Sequence, residues 1–172
     1  GIRLYLVKGT PLPPEGLLRL GSRIADRGLH IQIMASTVDK VIEYEPALAR
    51  LPCPVVLDHI AYIPQPDSSG HPGAETVRRL VGLGHVWLKL SGVYFTSQTG
   101  FPDYSDVDDL AADFVRRAPE RMLWGSDWPH SGAKGRKPDG ALLLDQLARW
   151  APQQAVRDRI LVDNPNAIYW AS

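Results

Sequence analysis

Short apolar runs and stretches of helical period take turns along this sequence. The first run covers residues 2–7. Residues 16–27 then place Leu17, Leu20 and Ile24 at steps of three and four, the spacing of one helix face, and Gly28 supplies a stop. A second run at 30–35 precedes a helical stretch at 38–51, with Thr37 or Asp39 as N-cap and with Pro46 predicting a kink or a division. The run at 55–59 stays apolar up to its polar end, as a strand buried on both faces would. A helix at 73–83, a strand at 86–90, a helix at 105–118, a strand at 122–125 and a helix at 141–150 follow. Ser105 is the expected cap of its helix, with Asp106, Asp108 and Asp109 at the positive end. Helical stretches at 152–159 and from Asn164–Pro165, with Asn164 as cap, close the pattern.

Strands alternating with helices predict right-handed crossovers and a parallel sheet. The connections are unequal. Those from helix to strand are short, whereas those from strand to helix at 62–71, 94–104 and 128–140 are long and polar. Function in parallel α/β proteins sits at the C-terminal ends of the strands, the edge these long loops occupy. Five βα units in one domain, residues 1–172, fit an open sheet or part of a closed barrel, which takes about 250 residues.

Composition narrows the classes. Nineteen basic and nineteen acidic residues cancel, which weighs against a nucleic-acid binder. No apolar run approaches the roughly 18 residues of a membrane span. A single cysteine, Cys53, excludes an intrachain disulfide framework and a multi-cysteine zinc site, and suits a reducing, cytoplasmic setting. The chain opens Gly-Ile-Arg, in mid-strand and without an initiator Met, so a fragment of a longer protein is one expectation.

Candidate chemistry gathers at three strand ends: Leu57-Asp58-His59, Lys89-Leu90-Ser91-Gly92 and Gly125-Ser126-Asp127-Trp128-Pro129-His130. Alternation along a strand predicts that Asp58 and His59 point to opposite sides, one toward a central site. His59 and Asp127 can then converge as an acid/base pair or a partial metal site. A buried, hydrogen-bonded His59 and a turn-forming Asp127 are the structural alternatives. Trp128 would shape and dry the pocket, and His130 would support it or merely sit in the loop. Lys89, inside a strand, must reach an exposed edge, a carboxylate or a substrate anion, and Arg3 can hold a substrate carboxylate. Lys134, Arg136 and Lys137 form a basic loop that steers anions or is simply solvated.

The segments Val55-Val-Leu-Asp-His59, Val86-Trp-Leu-Lys-Leu-Ser-Gly92, Met122-Leu-Trp-Gly-Ser-Asp-Trp-Pro-His130 and Leu161-Val-Asp-Asn-Pro-Asn166 resemble the amidohydrolase-related family, in its lactonase branch. The resemblance implies the C-terminal part of a (β/α)8 TIM barrel, strands four to eight, with the first three βα units and their histidines missing. It implies hydrolysis of a lactone or related carbonyl ester. Asp127 would be the general base, and His59 would polarise the carbonyl. Arg3, Tyr62, Ser91, Trp128 and His130 would line the small-molecule substrate. No cofactor is then required, or a single divalent metal such as Zn sits on His59 and Asp127. The fifth-strand segment Ile31-Gln-Ile-Met-Ala-Ser36 lacks the histidine of metal-dependent relatives, which argues against a binuclear centre. Tyr62 stands where the family's dicarboxylate lactonase carries an arginine, and residues 93–97 hold none, so a less anionic substrate is expected. A metal-dependent decarboxylase or hydratase and a non-catalytic fragment are the other expectations.

Overall fold

The computed structural model describes residues 1–7, 12–66 and 70–170. Part of the expected loop at 62–71 lies outside that set. Five strands, β1 (Ile2–Leu6), β2 (Ile31–Ala35), β3 (Val55–Leu57), β4 (Val86–Leu90) and β5 (Met122–Trp124), form one parallel sheet in sequence order. Ile31 pairs with both Ile2 and Val55, and Leu88 with both Leu57 and Met122. The helices are α1 (Pro14–Ala25), α2 (Val38–Leu48), α3 (Pro72–Gly82), α4 (Asp108–Arg117), α5 (Gly140–Trp150) and α6 (Gln154–Asp158).

The two faces of the sheet differ in chemistry. Ile31, Ile33, Leu57, Leu88, Leu90 and Met122 pack with helix residues such as Leu17, Leu48, Leu80, Phe114 and Leu147 into one continuous core. Val56, Trp87 and Leu123 face the other way, where Ile168 and Tyr169 pack on them. That second face also carries Arg3, Gln32 and Lys89 toward the strand ends, so charge and the candidate site share one side of the sheet.

Several expected details change. β3 stops at Leu57, two residues early, because the backbone turns left-handed at His59. Pro46 does not divide α2, which runs through it to Leu48. Burial of Val41, Tyr44, Ala47 and Leu48 outweighs one forgone backbone hydrogen bond. Ser105 does not cap α4: residues Ser105–Val107 make a separate 3-10 turn, and Asp106 turns back to accept from Ser97, Thr99 and the Gln98 amide. Asn164 caps nothing either. The helix runs past it, and its Nδ2 donates to the Pro119 and Met122 carbonyls, 2.7 Å each, clasping the start of β5. His71 caps α3 by accepting from the Gly73 amide at 3.0 Å.

Candidate active site

Beyond β3 the chain does something L-residues resist. Asp58 is extended, and His59, Ile60, Ala61 and Tyr62 then all lie at positive φ, between 47° and 57°. Such conformations cost roughly 1–2 kcal/mol each and gather where function demands them. The turn cancels the strand's alternation. Asp58 and His59, expected on opposite sides, line the same cavity. Gly92, itself at φ 61°, permits the close approach: a Cβ there would come within 2.5 Å of His59 Nδ1.

The cavity, about 440 Å³, opens at the C-terminal ends of the strands. Asp58, 1% exposed, lies at one end. Its Oδ2 accepts from Arg3 Nη2 and Gln32 Nε2, 2.9 Å each. Lys89 Nζ is ion-paired to its Oδ1 at 3.0 Å, without hydrogen-bond alignment. Two cations on one carboxylate leave this end with a surplus positive charge.

At the other end His59 and Asp127 face each other, Nε2 to Oδ1, at 3.8 Å. Each is held from behind. Ser91 Oγ is 2.9 Å from His59 Nδ1, and the Tyr94 hydroxyl donates to Asp127 Oδ2. Burial pushes the His59 pKa below the ordinary imidazole value, against the upward pull of Asp58 and Asp127. A neutral imidazole next to a carboxylate is the result. Burial, then the Asp127 hydrogen bond, raise the Tyr94 pKa far above the phenol range, so it stays a donor.

The candidate residues divide by place. Arg3, His59, Ser91, Asp127 and Trp128 line the cavity, Trp128 being 80% exposed at its rim. Tyr62 lies behind His59, ring centroids 5.5 Å apart, and borders a different cavity next to Phe95. Burial, then Asp127, push its pKa up to about 12. His130 is buried outside the cavity, edge-on to Tyr94 at 5.8 Å. Tyr94, Gln32 and Tyr169 were not singled out in the sequence. An aromatic three residues past Ser91 is the trace that Tyr94 leaves there. Among the described residues no group of three His, Cys, Asp or Glu is placed to hold a metal ion. Among them His59 and Asp127 offer two donors, and Asp58 is engaged by Arg3 and Lys89.

Comparison with known proteins gives the class. The chain matches the Amidohydrolase family model over residues 1–170 and belongs to that family. The 4-sulfomuconolactone hydrolase of Rhizobium radiobacter is 40% identical over 124 residues, covering 71% of this chain and 41% of the relative. The 2-pyrone-4,6-dicarboxylate hydrolase of Comamonas testosteroni is 33% identical over 183 residues, covering 99% of this chain and 59% of the relative. An apo crystal structure from Agrobacterium tumefaciens superposes with a TM-score of 0.84 at 27% identity, covering 99% of this chain and 61% of that one. The chain thus spans 41% and 59% of the lengths of these two curated relatives.

Proposed function

We propose that this chain carries the catalytic end of a barrel hydrolase that opens a lactone or related carbonyl ester by water attack. Its five strands would be strands four to eight of a (β/α)8 barrel. The observation that carries the reading is the His59–Asp127 pair, 3.8 Å apart across a cavity at the C-terminal strand ends. Two relatives named as lactone-type hydrolases support the substrate class.

In this reading Asp127 takes a proton as water oxygen attacks the carbonyl carbon. His59, neutral and protonated at Nε2, donates to the carbonyl oxygen as it becomes an oxyanion. Collapse breaks the acyl–oxygen bond, and the proton on Asp127 passes to the departing oxygen, leaving a hydroxy acid. Arg3 and Lys89 attract a substrate carboxylate, moderated by Asp58 between them. Trp128 forms an apolar lip at the entrance. No step passes through a metal. Asp127→Asn keeps the side-chain shape and removes the base. It should lower kcat for lactone hydrolysis by about 10²–10⁴ while the melting temperature changes little. Wild-type rates in the variant would remove Asp127 from the chemistry.

A further inference from the structure

Two facts about the pair call for a cause. A carboxylate free to rotate presents either oxygen, and an imidazole free to flip presents either nitrogen. Here each is fixed from one place. β4 pairs with β3 on one side and β5 on the other, so the turn leaving β4 borders both the strand that delivers His59 and the strand that delivers Asp127. Ser91 reaches His59 Nδ1, and three residues later Tyr94 reaches Asp127 Oδ2. The turn itself is anchored: Val93 is buried, Phe95 N donates to Gly92 O at 3.0 Å, and the Phe95 ring packs against His59, Tyr62 and Tyr94 at 4.7–5.2 Å.

We propose that the Ser91–Tyr94 turn is a positioning element that aims both members of the pair, Ser91 fixing the tautomer and rotation of His59 and Tyr94 presenting Asp127 Oδ1 to the cavity. The chemistry is complementary. With Asp127 Oδ1 beside Nε2, the ring proton belongs on Nε2, and Nδ1 then accepts from the Ser91 hydroxyl. The Tyr94 hydroxyl is engaged by Asp127 Oδ2, so it acts through Asp127 rather than on substrate. Ser91 lines the cavity, but its hydroxyl is committed to His59. This inference rests on the hydrolytic reading above, and its test separates the two.

The test uses Tyr94→Phe and Ser91→Ala beside the wild type, with steady-state kinetics on a lactone, melting curves and nitrogen NMR of labelled histidine. Tyr94→Phe should lower kcat by about 10²-fold with KM held within about twofold, since aim is lost and binding is not. Ser91→Ala should lower kcat and shift the His59 ring nitrogens from one fixed tautomer toward averaged values. The proposal is overturned if KM rises while kcat holds, which marks substrate contacts. It is also overturned if both variants keep wild-type kcat and spectra, or lose only thermal stability. If the wild type opens no lactone, the hydrolytic reading fails. The imidazole spectrum of Ser91→Ala then decides the positioning of His59 by itself: an averaged ring supports it, and an unchanged one overturns it.

Discussion

His59 shows how much depends on one residue's surroundings. Its imidazole is buried and its pKa lowered, so in acid the folded chain binds fewer protons than the unfolded one. The contribution from His59 is therefore full above the ordinary imidazole value of 6.5 and is lost as pH falls below it toward the folded value. Urea titrations from pH 7.5 to 5.5 should show stability falling with pH, and His59→Gln should flatten that slope. An equal slope in the variant would assign the dependence elsewhere. The sequence named His59 and Asp127 from their places at strand ends. It misjudged Asp58, because alternation holds only while the backbone stays extended, and four successive left-handed residues end that regime. Nothing in Ile60 or Ala61 announces positive φ, a region that side chains of their kind avoid. Tyr94 escaped for a different reason: its role exists only once β5 brings Asp127 against it.

At the scale of elements, hydrophobic period was a sound guide and terminal residues were a poor one. Every strand and helix announced by its apolar pattern is present, because burial of one face decides whether an element forms. Ser105 and Asn164 fit the composition of N-caps yet cap no helix start: Ser105 opens a separate 3-10 turn, and the Asn164 side chain is claimed by a tertiary contact that no local rule describes. Asn164 is the informative case. The residue is 4% exposed, and its side chain joins the C-terminal helix to the two carbonyls that frame the entry to β5. Asn164→Ala leaves both acceptors to the interior and should cost about 1–3 kcal/mol, read as a lower urea midpoint at unchanged slope. A midpoint equal to the wild type would mean that other groups satisfy those carbonyls.

For the whole molecule, the sheet order leaves β1 and β5 at the outside of the described sheet. Among the described residues β1 pairs with β2 alone and β5 with β4 alone. Unpaired strand edges template association, so the 172-residue chain should elute with a mass that rises with loading concentration. A sharp monomer peak at every concentration, with cooperative melting, would contradict this. The parallel order of the sheet was legible from strand–helix alternation, and the unequal loops pointed to the edge where the cavity opens. The packing of Tyr169 on Val56, Trp87 and Leu123 was not, since an aromatic pair near the end of a helix carries no sign of where that end is laid down. Hydrolysis at an acyl carbon by the proposed His59–Asp127 pair is tested by following lactone opening in oxygen-labelled water with a chelator present. The prediction is turnover unaffected by the chelator, one label per product, all of it in the new carboxylate. Label in the hydroxyl group, no opening of any lactone, or loss of turnover to the chelator would contradict it.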